Sequence, residues 1–528
     1  MSKTAASIKS IPAEKFAFVN RGEKLTDTKF VDKPVGYLKD AWIRFCKNKG
    51  SIVAAVIILI ILLFAFLTPA FFTKYDQTFM DVYYAKKAPR NIWLRDHLGI
   101  CSGTVTRDFN ERGMLVLIGI GIGAEDTQGT GKVTLEEGMA SYYQPMKEIG
   151  DPQEITGMIG SKDKTIYTCE LDTYLEYGFQ YQSIEQSEYK KIKEWEAQTG
   201  LQVLYPLVEE NEWNLEPTNA NYWYKTKKGT PVTVNARGKA KEIAYEPGMV
   251  LEDNYVRDAD GNPVYYMFTG GGDVDTAQYK VRVLYYNYYR YVNGFEPEYL
   301  FGTDSQGYDL MLRLASGIKL SFLVALVVSI INFTIGAIYG AIEGYYGGTT
   351  DLVMERISDI LANTPFIVVA TLFQLHYASK LGPIPCLLFA YVTTGWLGMA
   401  YRVRTQFYRF KNQEYVMAAR TLGASDARII WKHIFPNSLG TIITSCVLVI
   451  PGVIFSESML SFLGIVKLGT EKTTSLGTLL ADASSIWMNY PHLMLFPALV
   501  ISLLEICFNL FGNGLRDAFN PSLRGVEE

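Results

Sequence analysis

The sequence predicts an α-helical membrane protein with six transmembrane helices and a β-rich α+β domain inserted between the first two of them. Six apolar stretches are each about 20 residues long, the length that crosses a bilayer as a helix. A long polar stretch rich in Tyr, Val and Thr follows the first apolar one. Lys and Arg are concentrated at some ends of the apolar stretches, as they are on the cytoplasmic side of membrane proteins.

The predicted spans are read directly from the uncharged runs. The sixth run is interrupted by Glu505, and a carboxylate in lipid is costly unless it is paired or faces a polar interior. Glu505 therefore either lines a pathway or bonds to a neighbouring helix. The six spans are Ser51–Thr73, Leu320–Ile342, Ile360–Ser379, Leu381–Tyr401, Ile434–Ser456 and Leu493–Phe511.

The distribution of basic residues predicts which ends are cytoplasmic. Residues 1–50 and the loop 402–437 are both rich in Lys and Arg, so both belong in the cytoplasm. An even number of spans then returns the C-terminus to the cytoplasm. The first span begins about 50 residues into the chain, too far for a signal-peptide core, and should remain as an anchor.

The segment between the first two spans, residues 74–300, reads as a folded extracytoplasmic domain, because it is far longer than a connector needs to be. From Lys74 to Ile318 there are 25 Lys and Arg against 36 Asp and Glu, a net charge of −11, which leaves +7 for the rest of the chain. An acidic outer part and a basic inner part agree with the predicted topology. Neither suggests nucleic acid as a partner.

Several elements of this inserted domain can be predicted from composition and turn residues. A helix is expected over Glu185–Thr199, with Gly200 after its last residue. The expected strands are Thr230–Arg237, Lys241–Tyr245, the hairpin Asn254–Arg257 and Val264–Phe268 around Asp260-Gly261, and Tyr279–Asn293.

No nucleotide, catalytic or metal site is predicted. The run Gly129-Thr130-Gly131-Lys132 resembles part of a phosphate loop, but Asp126 and Val133 stand where that loop needs Gly and Ser or Thr. The series Gly119, Gly121, Gly123 misses the third glycine of a dinucleotide fingerprint. Four scattered His residues and the absence of a CxxC pair give neither a catalytic constellation nor a zinc site.

Two of the six cysteines, Cys101 and Cys169, fall in the predicted outer domain. They are the only pair on the oxidising side of the membrane, where a disulfide can form. The alternative is that they are two unrelated buried thiols.

The loop from Glu414 to Asn437 predicts a helix-turn-helix elbow. A short helix is expected to end at Gly423, which can adopt the left-handed conformation. Ser425 is expected to cap a second helix that stops before Pro436. Ala418 and Ala419 would leave one face of the first helix bare, so that a groove of another protein could approach it. The alternative is an ordinary amphipathic surface loop.

Ala418-Ala419-Arg-Thr-Leu-Gly423, with Pro436 thirteen residues later, resembles the EAA loop of ABC importer permeases. Three further motifs resemble the C-type subunit of dipeptide and oligopeptide permeases, and the likeness covers about residues 33–73 and 296–521. These motifs are Phe301–Asp309, Glu457–Gly464 and Phe508–Asp517.

The resemblance implies a fold and a set of partners. The spans, with residues 301–528 as the permease core, would have the ABC importer permease fold and lie in a bacterial plasma membrane. The chain would pair with a B-type permease subunit and work with two cytoplasmic ABC ATPase subunits and an extracytoplasmic substrate-binding protein. ATP and Mg would be used by the ATPases; this chain would bind no cofactor, would not be an enzyme, and would carry peptides.

The resemblance also implies a role for individual residues. Ala418, Ala419 and Gly423 correspond to the positions that dock into the ATPase, followed by Pro436. Met417 stands where the family has Glu. Any salt bridge or helix cap made by that Glu is therefore absent here, unless Glu414, one turn earlier, substitutes for it.

A second group of residues precedes the second span. Gly302, Thr303, Asp304, Gly307 and Asp309 either form an outer motif at the mouth of the pathway or simply make a turn and a helix cap, because Asp and Gly do both.

Other functions are open at this point. The chain could be a membrane-anchored binding or receptor protein whose outer domain is the functional part, although this leaves the elbow unexplained. It could also be an importer of the same family for nickel, glutathione or an oligosaccharide. The inserted domain could form part of the dock for the substrate-binding protein, or a lid that packs on the partner subunit.

Overall fold

The structure, a computed structural model, describes residues 37–71, 74–155, 164–209, 220–227, 230–243, 248–270, 277–469 and 473–519. Residues 1–36 of the predicted cytoplasmic N-terminal segment and residues 520–528 of the predicted cytoplasmic C-terminus lie outside these ranges.

The first two helices are α1 (Tyr37–Lys47) and α2 (Lys49–Phe71). Helix α2 lies at the first predicted span, and its composition is apolar enough to cross a membrane. Helix α1 is short and rests on the last helix of the chain, with the Phe45 ring 5.4 Å from the ring of Phe511 in an edge-to-face contact.

The inserted segment contains helices and antiparallel sheets. The helices are α3 (Ile92–Leu98), α4 (Glu111–Glu125), α5 (Leu135–Ala140), α6 (Gln186–Thr199) and α7 (Tyr285–Asn293). The strands are β1 (Thr104–Asn110), β2 (Met146–Ile155), β3 (Lys164–Asp172), β4 (Phe179–Glu185), β5 (Leu204–Tyr205), β6 (Thr226–Lys227), β7 (Thr230–Val234), β8 (Ala240–Glu242), β9 (Tyr266–Gly270) and β10 (Gln278–Leu284). In the described part of the insertion these strands form three sheets, with the orders β1-β3-β2, β4-β10-β5 and β6-β7-β8, and β9 also pairs with β10.

The glycine series of the insertion lies inside helix α4, where it allows close packing. A Cβ on Gly123 would stand 3.0 Å from the ring of Trp223, and one on Gly121 would stand 2.5 Å from the carbonyl oxygen of Gly138. The glycines therefore let neighbouring groups approach the helix backbone. The segment is not a strand followed by a phosphate loop.

The strand expected over Tyr279–Asn293 is wrong in its second half. The chain leaves β10 at Leu284 and continues at once as helix α7, which ends at Gly294 with a φ of +77°. Tyr285, Tyr286 and Tyr289 are all buried, and their spacing places them on one side of a helix. The alternating pattern also fitted a strand, which is why it misled the prediction.

The hairpin expected around Asp260-Gly261 is only partly formed. A turn closes between Asp258 and Asn262, and Val264 donates its N–H to the carbonyl of Val256. Residues 254–257 make only isolated bridges, and the strand β9 that follows pairs with β10 instead. Strands β7 and β8 are shorter than expected, and residues 244–245 of the second lie outside the described ranges.

The second half of the chain is helical. Within the described residues of the whole chain, five helices, α2 among them, are long and apolar enough to cross a membrane, and a bent pair makes up to six. The elements are α8 (Leu310–Tyr346), α9 (Gly348–Ala362), α10 (Phe366–Leu381), α11 (Pro383–Thr394), α12 (Leu397–Phe410), α13 (Glu414–Thr421), α14 (Asp426–Arg428), a π-helical segment (Ile429–Ile434), α15 (Phe435–Phe462), α16 (Leu476–Ala483) and α17 (Pro491–Phe519).

The third predicted span, Ile360–Ser379, is not one straight helix. Helices α9 and α10 meet at an angle of 69° across the residues Asn363, Thr364 and Pro365. Proline lacks an N–H and disfavours the helical conformation in the residue before it, which explains the break. The fourth span consists of α11 and α12, which together are long enough to cross a membrane.

Helices α8 and α12 pack closely through a row of glycines. Gly336, Gly340 and Gly344 are spaced four residues apart, so they lie on one face of α8. A Cβ on Gly336 would stand 2.7 Å from that of Met399, and one on Gly344 would stand 2.7 Å from that of Phe407. Small residues of this kind let two membrane helices approach at the level of their backbones.

The spans and the insertion have separate buried cores. The main cluster in the spans draws its buried residues from 54–65 and 310–508, and none from the described part of the insertion. The insertion has its own cluster, built on α4 with Trp223, Tyr224 and Phe179. Each part therefore has a hydrophobic centre of its own, and a further cluster that includes Tyr84, Tyr289 and Leu312 joins the insertion to the start of α8.

Candidate functional site

The elbow begins with α13, which ends in a left-handed turn at Gly423. The φ of Gly423 is +80°. The N–H of Ala424 donates to the carbonyl of Ala419 at 3.1 Å, and the N–H of Gly423 donates to the carbonyl of Arg420 at 3.0 Å. These two bonds are those of a Schellman motif, which requires a residue that tolerates positive φ. The predicted role of Gly423 as the helix stop is confirmed.

The second arm of the elbow does not stop before Pro436, so that expectation is wrong. Helix α14 starts after Ser425 and continues through the π-helical segment directly into α15, with Pro436 in the first turn of that helix. Ser425 precedes α14 in an extended conformation but makes no capping bond with its side chain. The wider π turn changes the backbone hydrogen-bond pattern just before Pro436, which has no N–H to donate.

One side of the elbow is buried against the ends of α8 and α12. Apolar residues of α13 and the π-helical segment form a single cluster with residues of those two helices. Its elbow members are Val416, Ile429, Ile430 and Ile434, and its members on the two helices include Ala341, Tyr345, Val403 and Phe407. The elbow is therefore packed onto the membrane part along its length.

The two alanines differ in exposure, which corrects the expectation of a bare alanine face. Ala419 is buried, whereas Ala418 is exposed beside Met417. The side chain of Leu422, at the tip of the elbow, is 88% exposed. The exposed face is thus Met417, Ala418 and Leu422, an apolar surface on a loop otherwise rich in charge.

Polar contacts also tie the elbow to α8. The Tyr345 hydroxyl donates to Oδ1 of Asp426 at 2.6 Å, and Nη2 of Arg420 donates to the same hydroxyl at 3.4 Å. Nζ of Lys411 donates to the carbonyl of Gly344 at 2.9 Å, which satisfies an acceptor at the end of α8.

Arg404 joins three helices next to the elbow. Its guanidinium bonds to both carboxylate oxygens of Asp351, at 2.7 and 2.8 Å, and to Glu355 at 2.9 Å, both on α9. Glu343 of α8 lies 3.5 Å away. Bidentate pairs of this kind fix orientation as well as distance. Sequence reasoning counted Arg404 only as a cytoplasmic charge and missed this role, because its partners are 49 to 61 residues away in the chain.

Met417 is half exposed on α13, and Glu414 is exposed one turn earlier. Among the described residues, Glu414 makes no ion pair. The structure therefore offers no contact by which Glu414 would replace the carboxylate that the family carries at position 417.

The residues predicted as an outer motif close the base of the insertion. The Thr303 hydroxyl donates to the carbonyl of Tyr84 and accepts from the N–H of Lys87 at 2.8 Å. Gly302 and Gly307 have φ of +81° and +95°, and a Cβ on either would collide with a carbonyl oxygen of the segment 81–87. We call the paired segments 80–90 and 299–309 the joint.

Asp304 and Asp309 act inside the joint. Asp309 caps α8 by accepting the N–H of Met311 at 2.8 Å. Oδ2 of Asp304 lies 3.1 Å from Nε of Arg313, and its other oxygen accepts the N–H groups of Gln306 and Tyr308. Burial raises the pKa of the Asp304 carboxyl, against the opposite effect of those N–H groups and of Arg313. This geometry is that of a turn and a helix cap.

Cys101 and Cys169 are both free thiols, so the possible disulfide is not formed. Cys169 is buried in β3 opposite Arg107 of β1, whereas Cys101 precedes the start of β1 by three residues. With a rise of about 3.3 Å per strand residue, this register separates the two positions along the strand direction.

The loop at Gly129–Lys132 is closed by its own side chain. The Asp126 carboxylate accepts the N–H of Thr130 at 2.8 Å and that of Gly131 at 2.7 Å. Backbone donors that could have bound a phosphate are therefore engaged within the turn.

Two carboxylates of the spans have different surroundings. Glu457 is 1% exposed, and accepts from the hydroxyls of Ser321 at 2.9 Å and Ser461 at 3.1 Å. The hydroxyl donors explain why it is buried. Glu505 is half-buried on α17, and its side chain makes no hydrogen bond to a described residue.

Two segments of the chain, one on each side of the insertion, match models of known protein families. Residues 332–525 match the family model described as a binding-protein-dependent transport system inner membrane component. Residues 36–89 match the model of the N-terminal TM domain of oligopeptide transport permease C.

Individual relatives are also similar to this chain. The chain is 43% identical over 230 residues to the oligopeptide transport system permease protein OppC of Haemophilus influenzae, covering 43% of this chain and 72% of that protein. It is 41% identical over 229 residues to the dipeptide transport system permease protein DppC of Bacillus subtilis, covering 43% and 70%. Among solved structures, an inward-facing MetNI methionine ABC transporter chain is 15% identical, with a TM-score of 0.33, over 40% of this chain and 98% of that one.

Proposed function

Because the chain belongs to the family of oligopeptide and dipeptide ABC transporter permeases, we propose that it is the C-type membrane subunit of an ATP-driven peptide importer. It pairs with a B-type permease subunit, receives peptide from an extracytoplasmic substrate-binding protein, and works with two cytoplasmic ATPases. ATP and Mg are bound by those ATPases, and the chain itself contributes a pathway wall and a docking loop.

The observation that carries the proposal is the two-faced elbow. Its exposed apolar surface at Met417, Ala418 and Leu422 suits a protein groove rather than water. Its opposite face is packed on α8 and α12. A partner that binds the exposed face and changes shape would therefore move both helices.

The contacts behind the elbow support transmission of that movement. Tyr345 and Asp426 link α8 to the second arm, and Arg404 links α8, α9 and α12. Alternating access needs two arrangements of the spans and a partner that favours one of them. The ATPases supply that bias, and this chain passes it on.

The orientation of the chain follows from the same assignment. The elbow and both termini lie in the cytoplasm, and the insertion lies outside the cell membrane. The outer position of the insertion supports a role as part of the dock for the substrate-binding protein.

The experiment compares two exposed leucines. Leu422→Glu puts a charge at the elbow tip, and Leu98→Glu puts one on α3 of the insertion, where Leu98 is 60% exposed. Burying an unpaired carboxylate in an apolar groove is strongly unfavourable. We expect Leu422→Glu to lose the ATPase subunits on purification and to lower ATP-driven peptide uptake in proteoliposomes by about tenfold or more, since burial of a leucine contributes about 1.5–3 kcal/mol.

Leu98→Glu should retain the ATPases on purification. A Leu422→Glu protein that keeps its ATPases and its uptake rate would contradict the proposed docking face.

A further inference from the structure

A polar cavity lies between the insertion and the outer ends of the spans. Its volume is about 630 Å³, within the range typical of small-molecule sites. Three parts of the chain meet there: the joint supplies Lys86 and Lys87, the insertion supplies Glu176 and Gln180, and the segment just before α17 supplies Tyr490. None of the predicted site residues lines it.

The charged groups of the cavity leave an excess of positive charge. Lys87 is 5% exposed, and its Nζ lies 3.5 Å from Oε2 of Glu176. The other oxygen of Glu176 accepts from Arg107 at 3.1 Å. Glu176 is therefore shared by two cations, and Lys86 adds a further charge. Among the described residues, Lys86 makes no ion pair and lies 5.7 Å from the centre of the Tyr490 ring.

The walls of the cavity are held in place before any ligand arrives. The Tyr177 hydroxyl donates to Oε1 of Gln180 at 3.2 Å, and Nε2 of Gln180 donates to the Tyr83 hydroxyl at 3.4 Å. Asn221 bonds to the backbone of Tyr177 and of Phe179. The Arg107 guanidinium lies over the Tyr490 ring, 4.7 Å from the ring centre.

We propose that this cavity binds the carboxylate end of the peptide substrate, with Lys86 as the principal contact. The lining residues Lys86, Lys87 and Glu176 sum to one positive charge, and Arg107, which shares Glu176 with Lys87, adds another, so the cavity favours an anionic group such as a carboxylate. The amide and hydroxyl groups around it can accept and donate hydrogen bonds to peptide groups. The inference rests on the proposed function, because it takes a peptide as the transported solute.

The test uses the full-length chain in complex with its membrane and ATPase subunits, in nanodiscs and without the substrate-binding protein. Dissociation constants are measured for trialanine and for trialanine amide, which differ only in the terminal charge. A charge-assisted hydrogen bond is worth about 1.5 kcal/mol or more, equivalent to about tenfold in affinity. We expect the acid to bind at least tenfold more tightly than the amide.

Three variants distinguish a specific contact by Lys86 from an effect of overall positive charge. Lys86→Gln should reduce the preference for the acid to less than about threefold, and Lys86→Arg should retain it. Lys132→Gln, on an exposed turn of the insertion, is the matched control and should behave as the unmodified protein. Chloride and phosphate are added in turn as competitors, and displacement of trialanine by equimolar phosphate would indicate a general anion site and overturn the inference.

Equal binding of acid and amide, no binding of either, or a preference unchanged by Lys86→Gln would overturn the inference. Uptake of labelled peptide by the complete system with its binding protein is measured in parallel. Normal uptake with no preference for the acid would support the proposed function and contradict the peptide site in the cavity. Absence of uptake would contradict both proposals.

Discussion

Gly423 adopts the left-handed conformation at the turn of the elbow, and nothing lies within 4 Å of the place that its Cβ would occupy. The effect of a substitution there comes from the backbone. A left-handed conformation costs an ordinary L-residue about 1–2 kcal/mol, and more for a β-branched one. We expect Gly423→Val to abolish ATP-driven uptake while the subunits still assemble, as measured by transport in proteoliposomes and by co-purification.

Gly423→Asn is the matched variant, because Asn tolerates positive φ better than other residues with a Cβ. It should retain most of the uptake. Normal transport by Gly423→Val would mean that the turn is not needed for coupling.

Asp304 holds the joint together through a buried ion pair. Its side chain and that of Arg313 are each 9% exposed. Removal of one partner from a buried pair leaves an uncompensated charge, at a cost of about 3–5 kcal/mol. We expect Asp304→Ala to lower the thermal unfolding temperature of the detergent-solubilised complex clearly.

The comparison for that variant is Asp359→Ala. Asp359 pairs with Arg356 on the surface of α9, where the two side chains are 51% and 67% exposed, and such pairs contribute about 0–1 kcal/mol. Similar shifts in unfolding temperature for the two variants would show that the joint does not depend on the Asp304 pair.

At the scale of whole elements, the contact between α8 and α12 depends on the glycine row. A Cβ at Gly340 would collide with the backbone carbonyl of Ala400, and overpacking of this kind typically costs about 1–3 kcal/mol. Gly340→Ala should therefore destabilise the complex and reduce uptake, because α12 would be displaced from the helix that the elbow moves. Thermal unfolding and transport assays check the two effects.

Gly398 provides the control on α12 itself, since a Cβ there meets nothing within 4 Å. Gly398→Ala should leave the unfolding temperature within a few degrees of the original value. Equal tolerance of both alanines would argue against close packing along the row.

Helix propensity and caps allowed some elements to be predicted from the sequence. The helix expected over Glu185–Thr199 is α6, Gln186–Thr199, and Gly200 ends it in the left-handed conformation. The apolar runs likewise locate the membrane helices, although α8 extends well beyond the predicted Leu320–Ile342 at both ends. Local chemistry was sufficient where a cap or an apolar run defines the element.

The predictions from sequence were wrong where contacts between residues distant in sequence determine the structure. The segment from Tyr285 to Asn293 becomes helix because its tyrosines pack in an aromatic cluster with Tyr84 and Tyr174, which are distant in sequence. At the elbow, the residue types predicted the turn at Gly423, but not that Ala419 is buried while Ala418 is exposed, or that the second arm continues past Pro436. The partners of Arg404 could not be found without the fold.

For the whole molecule, the separate cores of the spans and the insertion predict that the insertion can be removed. Excision of residues 92–297, with Asn91 joined to Glu298 by two glycines, keeps the contact in which the N–H of Arg90 donates to the carbonyl of Tyr299 at 2.8 Å. We expect the shortened chain to assemble with its partner subunits and to bind the substrate-binding protein at least tenfold more weakly, as measured by surface plasmon resonance.

An unchanged affinity in that experiment would contradict the dock and favour a lid or packing role. Loss of assembly would show instead that the insertion contributes to contacts with the partner permease. Co-purification of the partner subunits distinguishes these outcomes.

The joint also determines the entropy cost of closing the long loop that carries the insertion. Lys87 and Thr303, which it brings together, are 216 residues apart in sequence. Closing a loop costs only about 0.6 kcal/mol more for each doubling of its length, so this excursion costs about 2 kcal/mol more than a 15-residue connection would. Two or three hydrogen bonds of the joint, at about 1 kcal/mol each, offset that difference. A membrane core with such a closure can gain or lose an entire outer domain with little change in its own folding free energy.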